Sequence, residues 1–360
     1  MEMPAFTQTV LVINPGSTST KIAVYRGKER LLSENISHSA DQLEKYPIIV
    51  DQYGFRSEAV QNTLLENGFD ISSLDAVVGR GGTLKPLLGG VYSVNDKMID
   101  DLINRPNYQH ASNLGAIIAK KMADELSIPS FIVDPVCVDE LEPFARLSGM
   151  PELPRTSIIH ALSVRSTARK TAEAMGKELE EVNVIVAHMG GGISICPVKA
   201  GKMVDVNNAN EEGPFSAERS GSLPVGDVVK LCYSGKYTLD EMSAKVLKKG
   251  GFVSYLNTND GRDVEKMIES GNGKALEVTK AMAYQIAKEI GAMAVVLEGK
   301  VDAIAFTGGL ANWKRLVDEI SSRCSFIAPI HMFPGENEME ALAIGALRVL
   351  AGLEEAKEYV

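Results

Sequence analysis

A chain of 360 residues is longer than one hydrophobic core usually serves, so two domains of roughly 150 to 200 residues each are expected. Its 45% apolar and 23% charged residues are ordinary for a soluble globular protein, and no run approaches the ~20 apolar residues of a membrane span. The net charge of −10 argues against a nucleic-acid or membrane partner, which would call for a basic face, so any polyanion must be met by local sites.

Residues 1–8 carry Glu2 and Pro4 and no basic stretch, unlike a signal peptide. Four cysteines, Cys137, Cys196, Cys232 and Cys324, are widely spaced with no C-x-x-C, which fits reduced thiols and a cytoplasmic location better than disulfides or zinc.

The first patterned segment is VLVINPGSTSTKIAVY, residues 10–25. A β-branched run stops at Asn14, a small hydroxyl-rich turn follows, and Lys21 opens a second apolar run, the pattern of a β-hairpin. A Walker loop or a Rossmann turn would need its own glycine spacing and a helix opening at the turn, and neither occurs here. Any phosphate is therefore expected at the backbone N–H groups of a hairpin turn. Next comes DAVVGRGG, residues 75–82, an apolar run ending in Arg80 and two glycines. A helical pattern over 111–126 breaks at Ser127-Ile128-Pro129, and a buried strand over 131–133 ends in Asp134. Alternating strands and helices predict an α/β architecture. Three prolines and a glycine within 143–157 mark a domain junction and a plausible hinge.

A helix over 158–175 leads into VNVIVAHMGGGISICPV, residues 182–198, which repeats the hairpin design: its first run stops at His188 and turns through Gly190, Gly191 and Gly192. Two such turns facing each other would grip a polyphosphate. Further on, Met282, Ile286, Ile290, Met293 and Leu297 make one stripe of a long helix. Residues 301–320 then read as strand, Gly308-Gly309 turn and helix, whose N-terminus offers free N–H groups and a positive dipole end. A helix over about 337–350 closes the chain. Taken singly, Arg80 and Arg219 could be surface ion-pair partners, His110, His160 and His188 satisfied core histidines, and Asp134 a cap.

Their joint order is more specific. Asn14-Pro-Gly-Ser-Thr-Ser-Thr-Lys21, the Arg80 strand end, His110 before a helix, Asp134 after a buried strand, His188-Met-Gly-Gly-Gly192, Glu212-Gly213 followed by Arg219-Ser-Gly221, Asp260-Gly-Arg262-Asp263 and Phe306-Thr-Gly-Gly309 come in the order of the acetate kinases. The chain resembles the acetate and butyrate kinase family, within the group of sugar kinases, heat-shock chaperones and actin, over nearly its whole length. Gly191 stands where acetate enzymes carry asparagine, Gly309-Leu310-Ala311-Asn312 replaces their Gly-Ile-Gly-Glu-Asn motif, and Ile159-His160-Ala161-Leu162-Ser163-Val164 only partly keeps Phe-His-Gly-Thr-Ser-His. These departures, with Pro15 in the first loop, are similar to the butyrate branch.

The resemblance implies a two-domain, duplicated ribonuclease H-like fold with an interdomain cleft that closes over its substrates. One domain would be residues 1–153 plus about 340–360, and the other 154–339. It implies phosphoryl transfer from ATP to a short-chain carboxylate, giving ADP and an acyl phosphate, with Mg2+ as the metal. Arg80 would hold the acyl carboxylate and Arg219 the transferring phosphoryl. His188 would donate a hydrogen bond to that phosphoryl, and His110 and Asp134 would complete the acyl end. Gly16, Ser17, Ser19, Lys21, Gly190, Gly191 and Gly192 would surround the phosphates. Gly308, Gly309, Leu310 and Asn312 would lie against adenine, with Asp260 and Arg262 near the nucleoside. Asn14 would serve the metal with Glu336 or Glu338, between which the sequence does not choose. Small-molecule carboxylate and nucleotide are the expected partners, and a homo-oligomer, dimer or higher, the expected assembly. An acetate or propionate kinase remains an alternative. So does a sugar or polyol kinase with Asp134 as base, or, outside catalysis, a nucleotide-gated scaffold or chaperone.

Overall fold

The structure, a computed structural model, describes residues 6–105 and 110–360, so most of the 1–8 stretch read above for a leader lies outside the described residues. The chain divides into two compact units, Met1–Val138 with Asn337–Val360, and Asp139–Glu336. The proline-rich stretch 143–157 falls inside the second unit.

The first unit opens with an antiparallel meander, β1 (Thr9–Pro15), β2 (Ser19–Arg26) and β3 (Glu29–Ser37). β1 is buried almost throughout, whereas β3 is largely exposed, with Glu29, Arg30 and Glu34 lining its edge, as outer strands require if they are not to recruit another chain. There follow α1 (Ala40–Leu43), α2 (Tyr53–Glu66), β4 (Ala76–Arg80), β5 (Val91–Ser93), α3 (Asp96–Asn104), α4 (Asn113–Leu126) and β6 (Ser130–Val133). β4 and β6 extend the meander in parallel, giving the order β3-β2-β1-β4-β6-β5.

On one face, Leu11, Ile13, Ile22, Val24 and Val77 meet Val60 and Leu64 of α2 and Leu114 and Ile118 of α4. Strand and helix touch backbone to backbone there. A Cβ on Gly79 would lie 2.1 Å from the Gly115 carbonyl oxygen, and one on Gly115 would lie 2.3 Å from that of Arg80. Only glycine at both places lets α4 lie directly on the strand that ends in Arg80.

The second unit contains α5 (Ala161–Ala174), β7 (Asn183–Met189), β8 (Ile193–Lys199), β9 (Lys202–Met203), α6 (Val225–Cys232), α7 (Leu239–Leu247), α8 (Gly251–Leu256), α9 (Gly261–Glu269), α10 (Gly273–Val296), β10 (Ala303–Gly308), α11 (Lys314–Cys324) and β11 (Ile330–Pro334). Its sheet runs β11-β10-β7-β8-β9. The stripe Met282, Ile286, Ile290, Met293 and Leu297 of α10 is buried with Phe252, Ile304 and Phe306. Between Gly221 and Gly250 no residue is buried, so α6 and α7 form an excursion without a core of their own. The chain ends with α12 (Glu338–Leu350), which belongs to the first unit and packs on β1, β4 and β6, Gly345 lying against Val133.

Both sheets are one topology used twice: a three-stranded meander whose first strand carries two more strands in parallel. The duplication expected from the two hairpins is therefore present. Among the described residues no helix is long and apolar enough to cross a membrane.

The first hairpin is braced by His38, whose Nε2 lies 2.9 Å from Thr20 Oγ1. Burial, and then the positive charge of Arg56, push the His38 pKa down to about 4. An imidazole with a depressed folded pKa leaves the unfolded chain binding the extra proton between about pH 6.5 and 4, so stability is lost as pH falls through that window. The Tm should drop between pH 7 and pH 5, and His38→Gln, which keeps an acceptor but does not titrate, should flatten that drop in calorimetry; an unchanged pH profile would discount His38.

Candidate active site

In open α/β sheets ligands bind beyond the carboxyl ends of parallel strands, and the candidate residues gather there in each unit. In the first unit, parallel pairing sets Ile13 beside Gly79, so Asn14 and Arg80 finish neighbouring strands side by side. Glu338, in the first turn of α12, reaches both: its Oε2 accepts from Asn14 Nδ2 at 3.0 Å and from Arg80 Nη1. Of the two glutamates that the resemblance leaves open for the metal, Glu338 is the one hydrogen-bonded to Asn14. Glu336 lies in the second unit, just beyond β11.

His110, just before α4, accepts at Nδ1 from the Ser112 amide at 3.2 Å and lies 2.8 Å from Ser112 Oγ. Its pKa is lowered, first by desolvation and then by the charge of Arg80, which places the ring in the field of that guanidinium. Asp134 follows β6 and is buried, with φ +38. Its Oδ1 accepts from the Gly90 amide at 2.8 Å while its own amide donates to the Gly90 carbonyl at 3.0 Å, so this carboxylate also locks the chain leading into β5.

The turn joining β1 and β2 is closed by a 2.7 Å bond from Gly16 N to Ser19 O, with Ser17 and Thr18 exposed at its tip. Lys21 sits opposite Asn14 in the ladder and is exposed.

In the second unit, His188 near the end of β7 and Arg219 bracket the glycine turn. A Cβ built on Gly190 would lie 3.4 Å from His188 Nε2, and one on Gly192 would lie 2.5 Å from Arg219 Nη1. Gly190 N donates to Gly192 O at 3.1 Å. Ser216 donates to the Gly191 carbonyl and accepts from Arg219 N, tying the Arg219 loop to the turn. His188 Nδ1 lies 2.9 Å from Ser163 Oγ, and its ring stacks on His160 with centroids 4.1 Å apart. His160 Nδ1 is in turn 2.9 Å from Ser194 Oγ.

The remaining candidates form one corner of the second unit. Gly308 ends β10, the short turn Gly309–Asn312 follows, and the start of α9 abuts it, since a Cβ on Gly261 would lie 3.2 Å from Leu310 and Trp313. Asp260 caps α9 by accepting from the Arg262 amide at 2.8 Å and chelates the Arg262 guanidinium, with Nη2 at 2.6 Å. That hydrogen bonding holds the Asp260 carboxyl down at about 2. The Arg262 side chain is otherwise exposed.

Three residues in these clusters were given no role from the sequence: His160, stacked on His188; Ser163, which lies beside the His188 ring; and Arg56, buried behind the first turn. The signal for the first two was the partly kept Phe-His-Gly-Thr-Ser-His motif at residues 159–164.

In fold the chain is similar to the acetate kinase of Porphyromonas gingivalis, with a TM-score of 0.77 over 95% of this chain and 100% of that one at 18% identity. It is also similar to the acetate kinase of Entamoeba histolytica, with a TM-score of 0.73 over 94% and 98% at 17% identity. The architecture is thus the two-domain, actin-like α/β fold. The model of the acetokinase family matches residues 155–328. A protein described as a probable butyrate kinase, from Clostridium botulinum (strain Alaska E43 / Type E3), is 53% identical over 351 residues, which is 97% of this chain and 99% of the relative. The chain belongs to the acetokinase family.

The seat of Arg219 on Gly192 can be tested directly. Gly192→Ala must displace the guanidinium, whereas Gly190→Ala meets its neighbour at ordinary contact distance. In a kinase assay kcat should fall about tenfold or more for Gly192→Ala and far less for Gly190→Ala, because small misplacements of a charge-stabilising group are costly. Equal losses would dissociate Arg219 from the turn.

Proposed function

We propose that this chain is an ATP-dependent carboxylate kinase that phosphorylates short-chain fatty acids reversibly, butyrate first among them, to yield an acyl phosphate and ADP. The observation that carries this reading is the 53% identity, over 97% of the chain, to a probable butyrate kinase. Its place is the cytoplasm, a reading supported by four free cysteines.

A carboxylic acid with a pKa near that of glutamate, ~4.3, is already ionised at neutral pH, so the nucleophile needs no general base. The obstacle is repulsion: two unit charges 4 Å apart repel by roughly 4 kcal/mol at an effective dielectric of 20, and the γ-phosphoryl carries more than one charge. In this reading Arg80 receives the carboxylate, with His110 beside it, and Arg219 meets the phosphoryl; their planar, permanently charged forks suit both anions. If the Ser163 hydroxyl donates to His188 Nδ1, the proton of His188 sits on Nε2, the nitrogen directed over the glycine turn, ready to donate to a phosphoryl oxygen. Asp134 serves by holding the loop beside it. In this reading each unit offers a turn to phosphate, 16–19 in the first and 190–192 in the second, and the second unit offers 308–312 to adenine with Asp260 and Arg262 at its side.

Asn14 and Glu338 are the proposed metal residues. They are hydrogen-bonded to each other, Asn14 Nδ2 donating to Glu338 Oε2, and each side chain carries a hard oxygen. A two-donor site fits Mg2+, which keeps most of its coordination for phosphate oxygens and water. Bound there, it would neutralise charge on the β- and γ-phosphates.

Each buried methylene of the acid contributes only about 0.8 kcal/mol, so discrimination among propionate, butyrate, isobutyrate and valerate should be graded. A hydroxylamine trap decides the acceptor class. ATP with two- to five-carbon acids should give hydroxamate with the highest kcat/KM near butyrate, and ATP with hexoses or polyols should give none; sugar-dependent ADP release instead would replace this reading with a sugar kinase.

The assembly is proposed to be a homo-oligomer built through α6 and α7. Val225, Val229, Tyr233 and Leu239 are exposed there, beside a groove of about 450 Å³ lined by Val228, Cys232, Met242 and Val246. The same segment, 222–249, carries five lysines against three acidic residues, in a chain of net charge −10. A second, acidic copy therefore suits it in both charge and apolar surface. Light scattering should report a dimer or larger, and Val229→Glu with Tyr233→Glu should lower the mass; a wild-type monomer would refute this assembly.

A further inference from the structure

Arg56 lies on α2 and is wholly buried, yet it faces carbonyl oxygens rather than an acid. Its Nη1 donates to Gly16 O at 2.8 Å, Ser19 O at 3.0 Å and Thr20 Oγ1 at 3.2 Å, and its Nη2 donates to Ser17 O at 3.1 Å. Gln52 Oε1, one turn earlier on the chain, accepts from Nε at 3.0 Å and from Nη2 at 2.8 Å and holds the fork in place. The remaining carbonyl of the turn, Thr18 O, accepts from His38 N at 2.8 Å. The Gly16, Ser17 and Ser19 carbonyls are thus drawn to one guanidinium. Among the described residues no carboxylate pairs with Arg56.

The other side of the turn follows from peptide geometry. In a trans peptide the C=O and the next N–H point in opposite directions, so fixing the Gly16 and Ser17 carbonyls inward turns the Ser17 and Thr18 amides outward. Those two amides have no intramolecular hydrogen bond among the described residues, and both residues are exposed. Successive outward amides are the donors of an anion-binding concavity. Burial lowers the Arg56 pKa only to about 10, so its charge persists at neutral pH behind that concavity. A group present only to fill space between α2 and the hairpin would be apolar, because an unpaired buried charge is costly. A lysine could not span three carbonyls and a hydroxyl with a flat, pre-organised fork.

We propose that Arg56 is a positioning residue for the nucleotide phosphates: it clamps the carbonyl side of the turn so that the Ser17 and Thr18 amides stay aimed at the anion, and adds attraction from behind. The inference rests on the kinase reading above for the identity of that anion.

The test compares wild type with Arg56→Lys, Arg56→Met and Gln52→Leu, the last leaving the guanidinium in place but unbraced, and with Leu64→Ala as a core-weakened control on the same helix. ADP affinity is measured by titration calorimetry, KM for ATP and for butyrate by steady-state kinetics, and Tm by calorimetry. Arg56→Met should weaken ADP at least tenfold and raise KM for ATP while leaving KM for butyrate within about twofold. Arg56→Lys should recover part of the ADP affinity, Gln52→Leu should fall between wild type and Arg56→Lys, and Leu64→Ala should lower Tm without a nucleotide effect. If Arg56→Met does not fold, the gradation through Gln52→Leu and Arg56→Lys carries the test. ADP affinity equal to wild type in Gln52→Leu and Arg56→Lys, or a nucleotide effect in Leu64→Ala as large as theirs, would overturn the role of Arg56 alone. Failure of the wild-type chain to bind ADP would overturn the kinase reading and this inference with it.

Discussion

A backbone amide can be aimed at an anion only if the carbonyl on the other side of its peptide plane is satisfied elsewhere, and both hairpin turns of this protein are built around that constraint. In the first turn, a buried guanidinium and the His38 amide collect the carbonyls of residues 16–19. In the second, Gly192 O is taken by Gly190 N, and Gly191 O by the Ser216 hydroxyl. The solutions differ because their surroundings do. The first turn backs onto α2, while the second backs onto the loop that carries Arg219.

Duplication explains why the candidate residues of each unit cluster without any local sequence proximity. Each unit sets parallel strands next to the first strand of a meander, so the carboxyl ends of those strands finish at one edge of the sheet. Asn14 and Arg80 lie at the ends of β1 and β4, within one residue of the last, as His188 and Gly308 do in β7 and β10. Residues 66 apart along the chain, or 120, become neighbours because a strand pairing of fixed register carries them there.

The protein is acidic overall, yet its proposed chemistry concerns two anions, and its arginines reconcile these facts by local placement. Arg80 is braced by Glu338, which orients it at some loss of net charge. The Arg219 guanidinium packs on the bare backbone of Gly192. Arg56 has only neutral acceptors, so its charge reaches the turn undiminished by a counter-ion. The three differ in how much of their field a ligand would feel, and burial strengthens that of Arg56 because little water intervenes.

The parts of this protein that follow from short-range pattern were legible in the sequence alone: both hairpins, the strand ending in Arg80 and the apolar stripe of α10 each rest on periodicity or turn chemistry within a few residues. The choice between Glu336 and Glu338 was not. They lie two positions apart and differ only in which of them α12 carries to Asn14. Arg56 was equally hidden, because an arginine in YGFRSEAV reads as an ordinary solvated helix residue until α2 is laid on the hairpin. The stack of His160 on His188 likewise exists only once α5 packs beside β7. Local sequence sets backbone propensity and which faces are apolar, and these determine the elements. Which polar groups meet is decided by packing, since a hydrogen bond or an ion pair depends on separations of a few ångströms that only the assembled sheets and helices define.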